Sequence, residues 1–250
     1  MEILLTNDDG IDSPGIFLLA AALRQAGHGV LTLAPDSNRS GVSHAISFLN
    51  GPCKLKKVGD DSWVCSGTPV DCVILAILGG IPGREKYLPD LVISGINKGA
   101  NLGTDITYSG TASAARQASL AGIPSLALSL VEAGKTWHWD MAVSFVMDKL
   151  QEMRDFWKPD TFVNVNIPNA AQAPKGLATA FPARRWYNDT LESYVSPSGE
   201  IYCFTLGGKI DSIEEAGSDH DQVSGGFVSM SAIYIHPASL EEISSRGGRA

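Results

Sequence analysis

No run of apolar residues in this sequence reaches the ~18–20 that a bilayer crossing needs, and no apolar segment flanked by Lys or Arg opens the chain. The expectation is a soluble, cytoplasmic protein with no membrane partner. Cysteine is scarce: Cys53, Cys65, Cys72 and Cys203 show no Cys-x-x-Cys spacing, and there is no His-x-x-x-His. No zinc site is signalled, and the cysteines read as reduced, mostly buried small hydrophobes. Positive charge is also short, with 19 Lys and Arg against 27 Asp and Glu and a formal net charge of −8. Holding a polyanion requires clustered cations, and the strongest basic groupings are only Lys54, Lys56, Lys57 and the pair Arg184-Arg185. Nucleic acid is set aside as a partner. No internal repeat or low-complexity block is present. What remains is a chain of 250 residues, 44% hydrophobic and 18% charged, enough for one large α/β domain or a core of about 150–180 residues with an elaboration.

Glu2 to Thr6 reads as a short apolar strand stopped by Asn7-Asp8-Asp9-Gly10. Ser13-Pro14 opens a helix that keeps helical spacing through Ile16, Leu19, Ala20 and Leu23 and ends at Gly27. Gly29 to Ala34 is a second buried strand, completing a β-α-β unit, and a polar loop with Asn38-Arg39-Ser40-Gly41 follows it. Residues 43–66 form a hairpin-like excursion with Trp63 inward, and Thr68-Pro69 starts a helix to Leu78. Leu91 to Ser94 is a third core strand, followed by a glycine-rich loop over 95–103 whose length marks it as functional. A small-residue helix begins at Thr111, Ile123 to Leu128 is a strand, Asp140 to Phe156 an amphipathic helix, and Thr161 to Ile167 a strand. Beyond about residue 170 the pattern loosens into an extended β elaboration. Phe227 to Ile235 returns as a strong strand, and the tail after Arg246 reads as frayed.

In a doubly wound sheet, ligands bind beyond the carboxyl ends of the strands where the winding reverses. Asp8 and Asp9, Ser40, and Asn97 lie at three such ends. Taken alone, Asn-Asp-Asp-Gly is simply a tight turn. Together, two carboxylates, a hydroxyl and an amide oxygen form an all-oxygen set of the kind that Mg²⁺ or Mn²⁺ prefers. The repulsion between adjacent carboxylates is relieved by a cation. Asp8 is expected to face solvent, so that Asp8→Asn removes activity without harming the fold. Ser109-Gly110-Thr111 at a helix start offers amides and hydroxyls to an anion such as phosphate, although the same residues also make an ordinary N-cap. The 95–103 loop lacks the Gly-x-Gly-x-x-Gly spacing of a dinucleotide site, which excludes NAD. Arg39 is the cation placed nearest the site. Ser218-Asp219-His220-Asp221 reads as a solvated turn before a metal cluster, Trp137-His138-Trp139 as packing anchors before a base-stacking site, and Arg184-Arg185 as a solvated pair before a lid over an anion.

Four stretches, Asn7-Asp8-Asp9-Gly10, Ala34-Pro35-Asp36 with Asn38-Arg39-Ser40-Gly41, Ser94-Gly95-Ile96-Asn97-Lys98-Gly99-Ala100-Asn101, and Tyr108-Ser109-Gly110-Thr111, resemble the motifs of the SurE family in order across about residues 1–130. The resemblance implies a Rossmann-like α/β core with a doubly wound, mostly parallel sheet, and an extended C-terminal β-hairpin arm. The corresponding division is 1–180 core, 181–226 arm and 227–250 returning strand and tail. It further implies one divalent metal per subunit, Mg²⁺ or Mn²⁺, on Asp8, Asp9, Ser40 and Asn97. Asp8, Asp9 and Asn97 are the catalytic candidates, and Asn7, Gly41, Asn101, Ser109, Gly110 and Thr111 the phosphate-binding ones. The implied activity is hydrolysis of nucleoside 5′- and 3′-monophosphates, with short polyphosphate as a side substrate, by a metal-activated water attacking phosphorus in line. A homodimer or homotetramer assembled through the arm is implied as well. The chain departs from many members where Met230-Ser231-Ala232-Ile233 replaces Thr-Pro-Leu after Val-Ser. Two alternatives stand beside this reading. A covalent aspartyl-phosphate route wants a second acid two positions after Asp8, where Gly10 stands. A non-catalytic nucleotide sensor would have no need of adjacent carboxylates.

Overall fold

The computed structural model describes residues 1–85 and 87–239; the expected frayed tail lies outside them. Thirteen strands and five helices follow in chain order: β1 (Glu2–Thr6), α1 (Pro14–Gln25), β2 (Gly29–Pro35), β3 (Leu55–Gly59), β4 (Ser62–Cys65), α2 (Pro69–Ile77), β5 (Leu91–Lys98), α3 (Gly110–Leu120), β6 (Ser125–Val131), α4 (Trp139–Phe156), β7 (Thr161–Pro168), β8 (Leu177–Thr179), β9 (Arg185–Tyr187), β10 (Thr190–Val195), β11 (Ile201–Leu206), β12 (Ile210–Ser212), α5 (Asp219–Ser224) and β13 (Val228–Tyr234).

Nine strands form one sheet in the order β3-β4-β2-β1-β5-β6-β7-β13-β8. From β4 to β7 neighbouring strands are parallel, while β3 and β13 run antiparallel to β4 and β7. Alternation along β1 sends Ile3 and Leu5 to one face and Leu4 to the other. The first face packs on α1 and α4 through Ile16, Leu19, Leu23, Val146 and Leu150. The second packs on α2 and α3 through Cys72, Val73, Ala114 and Ala118. Each fully buried Leu or Ile contributes about 1.5–3 kcal/mol, and burial on both faces accounts for strands that read as continuous apolar runs. The winding reverses at β1, which lies between β2 and β5.

Helix starts follow their capping chemistry. Pro14 occupies the first turn of α1 after an extended Ser13. A capping box joins Thr68 and Asp71 at α2, and the Ser109 hydroxyl accepts the Ala112 N–H at 3.0 Å to cap α3. The predicted excursion over 43–66 is a β3–β4 hairpin that joins the main sheet on β2.

Three expectations are corrected. The stretch 95–98, read as loop, continues β5: Asn97 and Lys98 pair with Ser129 and Leu130 past an irregularity after Ser94. Gly95 is there for close approach, since its φ is +135° and a Cβ would lie 2.3 Å from the Leu128 carbonyl oxygen. The supposed turn at 218–221 is the start of α5, which returns from the arm to pack on β13 and β7. Of the cysteines, Cys65 and Cys72 are buried, Cys53 is half-buried and Cys203 is exposed. The β10–β11 hairpin projects as an arm with every residue of both strands exposed, and β9 pairs with β12 at its root. No helix among the described residues is long and apolar enough to cross a membrane.

Candidate active site

The turn after β1 is held by Asn7. Its side-chain amide donates to the Gly10 carbonyl and to the Ser13 hydroxyl, both at 2.8 Å, and its oxygen accepts the Gly10 N–H at 3.2 Å. Asn7 is fully buried and does not line the site cavity. Its hydrogen bonds shape the turn that presents the aspartates. Asp8 is not solvent-facing either, being 3% exposed. Thr111 holds both its oxygens: the hydroxyl donates to Oδ1 at 2.5 Å and the N–H to Oδ2 at 3.1 Å. Burial pushes the Asp8 carboxyl up to about 6; the Thr111 hydroxyl opposes this and the charge of Asp9 adds to it. Asp9 is raised too, chiefly by burial, against the Lys98 N–H that donates to its Oδ2 at 2.9 Å.

The loop after β2 is tied down at both ends of the site. The Arg39 N–H donates to the Asp8 carbonyl at 2.7 Å, and Ser43 bonds the carbonyls of Tyr108 and Thr107. Between them Ser40 donates its N–H to Asn38 at 2.7 Å, and no hydrogen bond is made to its hydroxyl among the described residues. The Arg39 side chain turns away to Asp36 at 2.8 Å and to the Ser66 carbonyl; the cation that lines the cavity is Lys98. Asn97, at the carboxyl end of β5, donates its amide to the Gly99 carbonyl at 3.1 Å, which leaves its side-chain oxygen available. Asn101 is braced by Ser129, Asn164 and Asn166.

Asp8, Ser40, Gly41, Asn97, Asn101 and Ser109 line one cavity of about 150 Å³. Gly110 and Thr111 stand behind it. Gly110 lies against the Asp8 side chain, and both Thr111 donors are engaged by Asp8. Among the described residues no three His, Cys, Asp or Glu side chains gather as a metal cluster. Asp8, Ser40 and Asn97 line the cavity and Asp9 does not, its Oδ2 accepting the Lys98 N–H beside it; a cation held by Asp8 with the neutral oxygens of Ser40 and Asn97, and by Asp9 from the side, would have an all-oxygen donor set that fits a hard divalent ion.

Sequence reasoning missed the far wall. Asp105, Tyr108 and Tyr187 also line the cavity. Asp105 forms a buried ion pair with Arg185 and accepts the Tyr187 hydroxyl at 2.5 Å; burial raises its carboxyl while Tyr187 and Arg185 oppose the shift. Arg185 is thus no solvated residue, whereas Arg184 is exposed. The one available signal was an arginine next to aromatics, with nothing to name its partner 80 residues away. Asp219 is likewise no solvated turn residue: fully buried, it accepts the N–H groups of Gly103 and Ala183, each at 2.8 Å, and joins the loop before α3 to the arm root. Trp137 and Trp139 stack on each other at 5.6 Å with Lys98 over Trp137.

A family model described as Survival protein SurE matches residues 3–189. The chain belongs to the SurE family. It is 38% identical over 247 residues to the 5'-nucleotidase SurE of Geotalea daltonii, covering 97% of this chain and 96% of that protein. With the 5'-nucleotidase SurE of Synechococcus sp. it shares 40% identity over 246 residues, covering 93% and 91%. The crystal structure of the SurE protein from Aquifex aeolicus superposes with a TM-score of 0.82 at 35% identity, covering 98% of each chain. The α/β core and extended C-terminal strands seen among the described residues are those of the SurE architecture.

Proposed function

We propose that this SurE protein is a divalent-metal-dependent phosphomonoesterase acting on nucleoside 5′- and 3′-monophosphates, with the terminal phosphate of short polyphosphate as a side substrate. The observation that carries the reading is buried Asp8 lining one cavity with Ser40, Asn97 and Ser109, the side-chain oxygen of Asn97 free, and half-buried Asp9 next to it in the chain. Adjacent carboxylates weaken binding of a bare phosphate, so a site built only to sense nucleotides would lack them. The relatives named 5'-nucleotidase SurE support the 5′-monophosphate part of this reading.

Asp8, Asp9, Ser40 and Asn97 would hold Mg²⁺ or Mn²⁺, which supplies a Lewis acid for a phosphate oxygen and lowers the pKa of a bound water. Asp8, fixed through both oxygens by Thr111, acts as anchor. Asp9 keeps Oδ1 free of the Lys98 amide and takes the proton of the attacking water. The water oxygen bonds to phosphorus in line, the ester P–O bond breaks, and the proton taken up by Asp9 is returned through solvent to the departing alkoxide. Ser109 and Asn101, lining the same cavity, stabilise charge on the equatorial oxygens.

The arm serves assembly into a homodimer or homotetramer. An isolated two-stranded hairpin is marginal in water, and this one exposes Leu191, Tyr194, Val195, Ile201, Tyr202, Phe204 and Leu206. The test of the activity is inorganic phosphate release from a panel of nucleoside monophosphates after chelation and after return of Mn²⁺ or Mg²⁺. Metal-dependent release is expected. Saturable nucleotide binding without release under any metal would replace the enzyme with a sensor.

A further inference from the structure

We propose that Asn164 and Asn166 of β7 are positioning residues for turnover, acting through Asn101 in the wall of the site cavity; this rests on the phosphomonoesterase reading above. Asn101 lies between β5 and α3, and among the described residues its main chain makes no hydrogen bond to another backbone group. Side chains take that place. Its N–H donates to Asn166 Oδ1 at 2.8 Å, and its carbonyl accepts Asn164 Nδ2 at 2.8 Å and Asn166 Nδ2 at 3.1 Å. Its own Nδ2 donates one hydrogen to Ser129 Oγ at 2.7 Å, which leaves the second for a phosphate oxygen.

The platform is dedicated to that one residue. Ser129, Asn166 and Ser229 stand in register across β6, β7 and β13, and Asn164 pairs with Ser231. Asn164 and Asn166 are fully buried, and every side-chain hydrogen bond they make among the described residues goes to the main chain of Asn101. Asn164 Oδ1 and the hydroxyls of Ser229 and Ser231 are buried with no partner among the described residues, so the polar stripe does not satisfy itself. Burying amides in this way costs stability that aliphatic side chains would not, and Val163, Val165 and Ile167 fill the other face of the same strand. What the two asparagines give in return is a fixed Asn101. Gly103, two residues on, is held by Asp219 at 2.8 Å, so the loop is clamped on both sides of Leu102. A donor set in place before charge develops on the equatorial oxygens needs no reorganisation as the transition state forms. The two asparagines therefore act on kcat more than on KM.

The test is a set of double-mutant cycles on phosphate release from a nucleoside 5′-monophosphate with Mn²⁺. Asn101→Ala is expected to lower kcat about a hundredfold. Asn164→Leu and Asn166→Leu should each lower it at least tenfold, with KM within twofold of the wild type. Either leucine added to Asn101→Ala should cost less than twofold more, because the donor it positions is gone. Asn164→Asp supplies a pH readout: protonated, its carboxyl donates to the Asn101 carbonyl, and ionised it cannot. Its kcat relative to the wild type should therefore fall as pH rises through that carboxyl's pKa, which burial raises. Wild-type kcat in Asn101→Ala or in both leucine variants, or losses equally large with and without Asn101→Ala, overturn the positioning role while leaving the phosphomonoesterase intact. Should the leucine variants fail to fold, Asn164→Asp decides, and a ratio flat with pH overturns the role. If the wild type releases no phosphate with any metal, the phosphomonoesterase reading fails instead. The same cycles are then read on calorimetric binding of inorganic phosphate with Mn²⁺. A tenfold weakening by either leucine that vanishes in Asn101→Ala upholds the positioning, and no binding, no weakening or a weakening that persists there overturns it.

Discussion

Gly110→Ala sets two effects against each other at the centre of the site. Gly110 is the first residue of α3 and has no positive φ. Helix propensity alone therefore favours alanine, by about 0.5–1 kcal/mol. The added methyl would lie 2.8 Å from Asp8 Cβ, 3.0 Å from Asp8 Oδ2 and 3.3 Å from Pro69 Cγ. Ordinary contact begins at 3.4 Å, so the shortest of these needs a displacement of about 0.6 Å. Asp8 has little room to yield: Thr111 holds its carboxylate, and the Arg39 N–H holds its carbonyl. Overpacking of this kind costs about 1–3 kcal/mol, which outweighs the helix gain. The variant should lose about 1–2 kcal/mol in urea unfolding. Phosphate release should fall on the order of a hundredfold, because misplacing a catalytic group by a fraction of an ångström to 1 Å has that scale of effect. A variant as stable as the wild type with full activity would show that Gly110 does not set the position of Asp8.

Asp8→Asn should abolish turnover and also lower stability by about 1–3 kcal/mol, because an amide nitrogen would then face a Thr111 donor at a buried position; chemical denaturation in chelator reads this directly. Asp219→Asn should cost a similar ~1–3 kcal/mol by leaving one of the Gly103, Ala183 and His220 N–H groups opposed by a donor, and an unchanged melting temperature would contradict the clamp. Adding Mn²⁺ to about 100 times its Kd should stabilise the chelated protein by ~2.7 kcal/mol, a rise of roughly 5–11 °C by differential scanning fluorimetry, and Asp9→Asn should largely remove that rise. Paired charges on the arm, Tyr202→Lys with Phe204→Glu, should shift sedimentation toward the monomer; an unaltered sedimentation coefficient would remove the arm from assembly.

Much of the core was legible because its signals are local. Ser13-Pro14, Thr68-Pro69 and Ser109 announce helix starts through their own side chains or ring, and the two-faced burial of β1 shows as an unbroken Ile3-Leu4-Leu5. Asp8, Ser40, Asn97, Asn101 and Ser109 could be gathered because each ends or follows a strand or opens a helix at one end of a parallel sheet. What escaped depended on distant partners. The continuation of β5 past Gly95 is decided by pairing with β6. The burial of Asp219 is decided by a backbone donor 116 residues away. A six-residue helix such as α5 is too short for periodicity to register. The hydrogen bonds by which Asn7 holds its turn were equally out of reach, since the sequence does not show that its amide meets Gly10 and Ser13.

The insertion of β13 between β7 and β8 bears on how the chain is made. Within the main sheet, β8 has β13 as its neighbour, so residues 177–179 emerge from synthesis without their partner and wait about fifty residues for it. The aspartate turn, the Ser40 loop and the start of α3 all lie within the first 111 residues and can settle early, while the outer wall at Arg185 and Tyr187 arrives later, followed by the strand that closes the sheet. During elongation the growing chain thus carries its reactive carboxylates before it carries the wall that shields them.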